Sequence, residues 1–345
     1  MKSPPSFINT LVINEFSATP KYQQLVNTVL TEIKQGTLKR GDSMPSINEL
    51  SFSSDISRIT VEKGYNELRK LGVLEAFKGK GYFVANTDVH QDLKIFLMFN
   101  KLSAHKKIIY DAFVETLGEK ASIDFYVYNN DSKFFCRLLE SKKQHYSHYV
   151  IIPHFTDGEK TAYQAINAIS KDKLILVDKL IPEITGDFGA VYENFSKDIY
   201  QALFEAMAAL QKFSRLKLIF PENSYYPNEI IEGFISFCQS FVYEYTIVYD
   251  LSTETILMGD VYINLMEDDL FELLEKIENN KLTVGLDVGI VSYNETKAKK
   301  YIMNGLTTVS TDFEAMGKQA AELVLKNSKK HIENPFHLTL RESLR

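Results

Sequence analysis

Residues 46–84 read SINELSFSSDISRITVEKGYNELRKLGVLEAFKGKGYFV, and this stretch decides the fold of the N-terminal part of the chain. Ser46 and Glu49 stand three residues apart, the spacing of a capping box, so a helix is predicted to begin there. A second helix is predicted over residues 57–71, because Val61 and later apolar side chains recur at helical spacing. The two helices and the polar turn between them predict a helix-turn-helix.

A hairpin is predicted directly after the second helix. Gly72 ends that helix, and the apolar runs 73–77 and 82–84 flank the turn Lys78-Gly79-Lys80-Gly81. The tip of the hairpin therefore carries two lysines. In such a winged unit, one helix can enter a major groove of DNA while the wing lysines reach phosphates.

Several runs in this region match one family of DNA-binding domains. They are YQQL at 22–25, IKQG at 33–36, LKRGDSMPSINEL at 38–50, SRITV at 57–61 and GKGYFV at 79–84. Together these runs resemble the GntR-family winged-helix domain, and the resemblance is continuous from about Tyr22 to Val84.

The resemblance implies which side chains meet DNA. The residue after the serine that starts the recognition helix contacts DNA in that family, and Arg58 occupies this position. Asn48 and Glu62 stand where the family has two further arginines. Because these residue types prefer different base edges, the operator sequence does not follow from the resemblance. The expected DNA-binding residues are Arg40, Ser46, Asn48, Ser57, Arg58, Thr60, Lys63, Lys78 and Lys80.

Composition and charge divide the chain into two unlike parts. Its 345 residues, 45% of them hydrophobic, are enough for two or three folded domains. Residues 1–87 carry 11 basic and 8 acidic side chains, whereas the remainder carries 28 and 37. This asymmetry is typical of a local DNA module joined to an acidic domain with another task.

Other features of the sequence indicate where the protein acts. Cys136 and Cys238 lack metal spacing and are interpreted as reduced core thiols. The sequence shows neither a signal peptide nor a run of about 18 apolar residues. We therefore expect a cytoplasmic protein with no membrane partner.

The predicted organisation has three parts. A winged-helix domain spans residues 1–85, with a loosely ordered tail to about Ala18 and a first helix over Lys21–Lys34. Residues 86–92 are interpreted as a linker that restricts the two domains without fixing them. Residues 93–345 are predicted to form a two-lobed α/β effector-binding and dimerisation domain.

Within residues 93–345, short apolar strands alternate with amphipathic helices in two series, the second beginning near Phe188. This alternation predicts parallel sheets covered on both faces, and about 250 residues predict two doubly wound lobes. The second series includes a long helix predicted over residues 195–213 and a strand-like run at 283–286.

Motifs in the second half resemble another family. The sharpest are LTTVSTDF at 306–313 with Met316-Gly317, and LRESL at 340–344; LVDK at 176–179, IEGF at 231–234 and VSYNE at 291–295 match more loosely. They resemble the effector domain of the LacI family, which is itself similar to periplasmic sugar-binding proteins. A GntR-type reader joined to such a domain is the arrangement of arabinose-type sugar repressors, and regulators of fucose use look similar. The resemblance implies a homodimer on operator DNA with a small sugar, such as L-fucose or L-arabinose, as effector.

A cleft between two doubly wound lobes binds ligands at the carboxyl ends of the strands. The resemblance puts Asp178 and Asn294 where effectors are contacted, although Asn294 replaces a common aspartate and Ile230 replaces the usual arginine. Hydroxyl groups of a polyol suit carboxylates and amides, and an aromatic ring can cover an apolar sugar face. A loop or helix-cap role is the alternative for each Asp or Asn. The expected effector-binding residues are Phe99, Asn100, Asp178, Asp268, Tyr293, Asn294 and Glu295.

Enzymatic and metal functions have little support in the sequence. The chain lacks Gly-x-Ser-x-Gly, P-loop and His-Glu-x-x-His motifs. His145, His148 and His154 are not accompanied by cysteines or carboxylates at zinc spacing, so we expect no metal and no cofactor. The sequence thus favours a ligand-responsive transcriptional repressor, and the alternative is a cytosolic sugar- or metabolite-binding protein without a DNA-binding role.

Overall fold

The computed structural model describes residues 7–88, 93–141, 146–222, 224 and 226–345. The last four residues of the expected linker, 89–92, and His145 of the histidine group lie outside the described residues. Across the described ranges, none of the helices combines the length and apolar character needed to cross a bilayer.

A winged helix-turn-helix forms the N-terminal part. Its elements are α1 Phe7–Thr10, α2 Lys21–Lys34, α3 Ile47–Ser53, α4 Arg58–Lys70, β1 Leu74–Phe77 and β2 Gly81–Val84. The capping box at Ser46 is confirmed, since its side chain accepts from the Glu49 amide while the Glu49 carboxylate accepts from the Ser46 amide. Strands β1 and β2 pair antiparallel as the predicted wing.

The expectation of a loose tail up to Ala18 is wrong for residues 7–18. Phe7 is fully buried and Leu11 nearly so, and both join the core of the winged helix with Leu25 and Tyr65. The two apolar side chains are four residues apart, so a single helical turn brings both onto the domain. A single helical turn is too short for helical periodicity to show in the sequence.

The first lobe begins with an alternation of strands and helices. Its first elements are β3 Leu93–Phe99, α5 Ala104–Leu117, β4 Ala121–Val127, α6 Ser132–Ser141, β5 His148–Ile151, α7 Glu159–Asn167, β6 Leu174–Asp178 and β7 Gly189–Tyr192. These five strands pair in parallel in the order β7-β6-β5-β3-β4. Two apolar clusters cover the two faces of the sheet.

The second lobe follows the same plan. Its elements are α8 Phe195–Glu205, α9 Met207–Leu210, β8 Arg215–Ile219, α10 Glu229–Phe241, β9 Glu244–Val248, β10 Asp260–Asn264, α11 Glu267–Asn279, β11 Gly289–Tyr293 and β12 Thr307–Thr311. The strand order is β12-β11-β10-β8-β9, all parallel. The predicted two-lobed, doubly wound architecture is thereby confirmed.

The chain then crosses between the lobes twice more. Helix α12 Phe313–Leu325 and strand β13 His331–Glu333 return to the first lobe, where β13 pairs with β7. Strand β14 Phe336–Thr339 closes the second sheet antiparallel to β12. The prediction of two consecutive series was therefore wrong at Phe188, because β7 still belongs to the first sheet.

Two predicted elements of the second lobe differ from the structure. The helix predicted over 195–213 is interrupted at Ala206 and ends at Leu210. The strand-like run at 283–286 forms only a single bridge between Val284 and Val288. Gly285 lies between them at φ +85°, a left-handed conformation that turns the chain out of a strand.

The winged helix also contacts the first lobe, along the edge strand β4. The Ala18 amide donates to the Phe125 carbonyl at 2.7 Å, and the Phe125 amide donates to Thr19 Oγ1 at 2.7 Å. Asn27 of α2 adds a hydrogen bond to the Ile123 carbonyl at 3.4 Å. Residues 14–19, which we term the arm, thus connect the two domains in addition to the linker.

Candidate nucleic-acid interface and ligand cleft

The N-terminus of α4 is the predicted reading end of the winged helix. Ser57 caps the helix by accepting from the Thr60 amide at 3.2 Å, and its hydroxyl also bonds the Thr60 hydroxyl at 2.8 Å. Arg58 follows as the first helical residue and is exposed. The cap therefore holds the helix end while the guanidinium extends into solvent, where it can reach a base edge or a phosphate.

The other expected DNA-binding residues are also at the surface. Lys78 and Lys80 lie in the wing turn on either side of Gly79. Lys63 Nζ lies 3.9 Å from the centre of the Tyr22 ring, a cation–π contact. Ser46 is committed to the capping box, so its role is to begin α3. The exposed members of the set are Arg40, Ser46, Asn48, Ser57, Arg58, Lys63, Lys78 and Lys80, and Thr60 is half-buried.

Ile59 is a reading-helix residue that the sequence interpretation missed. It lies between Arg58 and Thr60 and leaves 78% of its surface exposed. An apolar side chain at this position can contact the methyl group of thymine in a major groove. The signal was available in the sequence, because Ile59 falls outside the apolar face of α4 that Val61 and Tyr65 define.

A cavity of about 310 Å³ lies between the two lobes at the carboxyl ends of their strands. Five of the seven expected effector-binding residues line it, namely Asn100, Asp178, Asp268, Tyr293 and Asn294. The structure does not bring the other two to the cavity. Phe99 packs against Phe125 in the core, with ring centres 5.0 Å apart, because alternate strand residues face opposite sides of a sheet. Glu295 instead pairs with Arg341 at 2.9 Å.

A buried charged cluster lies on the first-lobe side of the cleft. Asp178 Oδ2 is 2.7 Å from Lys106 Nζ and 2.5 Å from His154 Nε2. Burial opposes ionisation of Asp178, but Lys106 and His154 outweigh it and hold the pKa of the carboxyl well below its usual range. Burial lowers the pKa of His154 although Asp178 opposes this. Burial and the Asp178 charge raise the pKa of Glu193, which shares a hydrogen bond with Asp178.

The backbone is strained at the two positions that the family resemblance singled out. Asp178 has φ +80° and Asn294 has φ +64°, both in the left-handed region. Non-glycine residues persist there only when the surroundings hold them, and such residues cluster at ligand sites. Lys299 helps hold the second turn, since its Nζ donates to the carbonyls of Tyr293 at 2.8 Å and Asn294 at 2.7 Å.

Three buried polar atoms beside the cavity have no protein partner among the described residues. They are Asn100 Oδ1, His105 Nε2 and the Tyr293 hydroxyl. A buried polar group without a partner is costly, so a partner supplied by a ligand or by water would be favoured at each of them. His105 was missed in the sequence because it lies in the first turn of a helix, with no motif around it.

Lys106, His154, Glu193 and Lys299 also line the cleft and were not predicted from the sequence. Burial lowers the pKa of Lys299 to about 8. No group of three or more His, Cys, Asp or Glu side chains that suits a metal ion occurs in the described part of the chain.

The fold and these two regions define a chain that joins a winged helix-turn-helix to a two-lobed α/β unit with a cleft between its lobes. Residues 21–84 match the family described as "Bacterial regulatory proteins, gntR family". Residues 208–344 match the family described as "Periplasmic binding protein-like domain". The chain thus carries a GntR-type helix-turn-helix domain followed by a periplasmic-binding-protein-like domain.

The winged helix is similar to curated bacterial regulators. It is 29% identical over 83 residues to the HTH-type transcriptional regulator YhcF of Bacillus subtilis (24% of this chain), and 33% identical over 73 residues to the repressor YtrA of the same organism (21%). It is 40% identical over 83 residues to the probable fructoselysine utilization operon transcriptional repressor of Escherichia coli (22%). The matches span 69%, 56% and 34% of these relatives, respectively.

Solved structures resemble the two-lobed part. The Lac repressor dimer bound to operator and the anti-inducer ONPF superposes with a TM-score of 0.61 at 15% identity, covering 73% of this chain and 94% of the other. A LacI family regulator from Enterococcus faecium with bound ribose gives 0.57 at 17% identity, covering 72% and 98%. At these identities the likeness shows the fold.

Proposed function

We propose that the chain is a transcriptional repressor whose affinity for operator DNA is controlled by a small sugar bound in the interlobe cleft. The observation that carries the proposal is a polar cavity between the two lobes whose lining includes Asn100, His105 and Tyr293, each of which has a buried polar atom without a protein partner among the described residues. The N-terminal domain of the same chain is a GntR-type helix-turn-helix domain. Ligand sensing and DNA binding thus reside in one polypeptide.

The reader would work as a pair. Two winged helices related by a two-fold axis would bind two half-sites of an inverted repeat. Arg58, Thr60 and Asn48 would meet bases or phosphates near the start of α4. Arg40 and the wing lysines would hold the sugar-phosphate backbone.

A monosaccharide matches the cleft in size and polarity. The cavity of about 310 Å³ lies at the small end of the range of about 300–1,000 Å³ for ligand pockets. Two similar proteins are also connected with sugar compounds. One relative is a probable repressor of a fructoselysine utilization operon, and one solved structure of a LacI family regulator contains bound ribose. L-fucose and L-arabinose are our first candidates, because the architecture resembles regulators of these sugars.

Control of DNA binding would follow from lobe closure. A sugar that contacts both lobes favours the closed arrangement and thereby changes the spacing of the two readers in a dimer. It can shift that equilibrium only by its difference in affinity for the two states.

The proposal is tested with the purified full-length chain in two assays. Thermal unfolding is measured with L-fucose, L-arabinose and other monosaccharides, because a ligand at about 100 times its Kd adds about 2.7 kcal/mol to the native state. The same chain is used to enrich binding sequences from a random DNA pool. A stabilising sugar and an enriched inverted repeat are expected together. A stabilising sugar without any enriched DNA would instead identify a sugar-binding protein with no DNA role.

A further inference from the structure

We infer that the effector is an uncharged polyol bound through its hydroxyl groups, and that a phosphorylated sugar is excluded. This inference rests on the proposed ligand role of the cleft. It follows from the hydrogen-bond character of the unpartnered atoms and from the way in which the charged side chains of the cleft are already paired.

Two of the unpartnered atoms are acceptors. The amide nitrogen of Asn100 donates to Asn130 Oδ1 at 2.7 Å, which leaves Asn100 Oδ1 as an acceptor that faces no donor. Burial lowers the pKa of His105 and so favours the neutral ring, in which the unpartnered Nε2 is an acceptor when the hydrogen is on Nδ1. A ligand must supply donors to both atoms. Hydroxyl groups do so, whereas a phosphate dianion placed against these two atoms could not, because its oxygens only accept.

The cations of the cleft are not free to bind an anion. Lys106 is paired with Asp178, Lys299 donates to two backbone carbonyls, and Lys101 has an interaction of its own. On the second-lobe side, Glu267 and Asp268 are exposed at the start of α11 and line the cavity. A phosphate would approach these two carboxylates, and none of the described lysines that line the cavity is uncommitted and able to offset the repulsion.

Matched pairs of compounds test the inference on the full-length chain. The probes are L-arabinose, L-fucose, D-ribose, D-glucose and D-fructose, with D-ribose 5-phosphate, D-glucose 6-phosphate and D-fructose 6-phosphate as charged counterparts. A rise in Tm with at least one free sugar and with none of the phosphates is expected. A rise with a phosphate but not with its free sugar, or no rise with any probe, would overturn the inference. DNA enrichment by the same preparation is scored separately, so a failure of the repressor function is distinguishable.

Variants of His105 test the acceptor directly. His105→Leu removes it, and His105→Gln retains a side-chain oxygen near the same place. We expect the Leu variant to lose about 5- to 150-fold in affinity for the sugar, since one unmade buried hydrogen bond costs about 1–3 kcal/mol, and the Gln variant to lose less. His337→Leu on the exposed strand β14 is the matched control. Equal affinities for the Leu variant and the control, in proteins with equal unfolding midpoints, would contradict the role of His105.

The contact between the arm and strand β4 carries a second, independent inference. We propose that the arm is a clasp that orients the winged helix on the first lobe and thereby preorganises it for DNA. Thr19 is 3% exposed and its hydroxyl accepts from the Phe125 amide at 2.7 Å and donates to the Ile123 carbonyl at 3.3 Å. Edge strands present backbone amide and carbonyl groups that have no partner strand. The arm forms hydrogen bonds with both of these groups of Phe125.

The clasp is itself fixed to the reading domain. Gln24 of α2 accepts from the Asn14 amide at 2.9 Å and donates to the Thr19 carbonyl at 2.8 Å. Phe7 and Leu11, just before the arm, are buried in the core of the winged helix. Arg58 and the wing lysines remain exposed while the clasp is closed. The contact therefore restricts the reader without covering its DNA-binding side chains.

Thr19→Val keeps the shape of the side chain and removes the acceptor and the donor. Thr31→Val is the matched control, because the Thr31 hydroxyl donates to the Asn27 carbonyl within α2 and has no other hydrogen bond to the described residues. We expect faster hydrogen exchange at the Phe125 amide in the first variant alone. Its affinity for an operator selected by the wild-type chain should fall by about three- to tenfold, as one net hydrogen bond implies. Operator affinity equal to or above that of the control would overturn the clasp.

Discussion

The ammonium group of Lys106 on α5 lies 2.7 Å from the carboxylate of Asp178 at the end of β6, and both side chains are less than one-tenth exposed. The two residues are 72 positions apart in the chain, so the pair exists only once the first lobe has folded. It places one buried anion and one buried cation at the base of the cleft. Removing Asp178 leaves the buried ammonium group of Lys106 without its ion-pair partner.

Asp178→Ala should therefore destabilise the protein. Breaking a buried ion pair by deleting one partner typically costs about 3–5 kcal/mol, because the remaining charge stays desolvated. Denaturant unfolding at neutral pH measures the loss, and the double variant Lys106→Met/Asp178→Ala should recover much of it. A single variant as stable as wild type would show that Lys106 is not held by Asp178. Sugar response is best compared in the double variant, where folding is not limiting.

Arg58→Ala should weaken binding to the selected operator by about 1–3 kcal/mol if the guanidinium meets a base edge. Arg69→Ala is the control, since Arg69 is exposed near the other end of the same helix. Fluorescence anisotropy with the specific duplex and with a scrambled duplex measures both affinities. Equal specific affinities for the two variants would remove Arg58 from the interface.

The wing lysines should contribute through phosphates. Lys78→Ala with Lys80→Ala is expected to lower the slope of log affinity against log salt by about 2, because each neutralised phosphate contributes about 0.9. Lys318→Ala with Lys326→Ala changes the net charge equally, but on the exposed face of α12. If both double variants change the slope equally, the wing lysines act through the net charge of the protein and not through contacts with phosphates.

Glu193→Gln should change the pH dependence of stability. The folded-state pKa of Glu193 is raised, first by burial and then by Asp178, so its stabilising protonation is fully present below the unfolded pKa of about 4.3 and is lost as pH rises. Glutamine still donates to Asp178 and cannot ionise. Wild type should therefore lose free energy of unfolding relative to Glu193→Gln as the pH rises from about 5 to about 8.

Urea unfolding at several pH values gives that comparison. Glu222→Gln, at an exposed position, serves as the control and should follow wild type. Parallel curves for wild type and Glu193→Gln would mean that Glu193 is ionised in the folded protein.

Local patterns in the sequence predicted much of the fold. Helix α2 has the predicted bounds Lys21–Lys34, and the capping box placed α3 to within a residue. These features depend on neighbours in sequence. The assignment of β7, α12 and β13 to the first lobe was not predictable in the same way, because an apolar strand carries no mark of the sheet it joins. Phe7 and Leu11 were missed because α1 is a single helical turn, too short for helical periodicity to be recognised.

The cleft was predictable in part. Asp178 and Asn294 follow strands directly, so topology alone brings them to the same edge. His105, His154 and Lys299 depend on how a helix turn and two loops pack, which no spacing in the sequence reports. Glu295 illustrates the opposite error, since its position after β11 suits the cleft but the terminal segment supplies Arg341 as its partner.

The most direct test of the central claim is an anisotropy titration of the selected operator with the full-length chain, with and without the sugar that raises its Tm. Typical coupling between two sites corresponds to a change of about 5- to 150-fold in affinity. A Kd for operator that rises within this range when the sugar is saturating is the predicted result. An unchanged Kd in the presence of a sugar that demonstrably binds would contradict the claim that the cleft controls the reader.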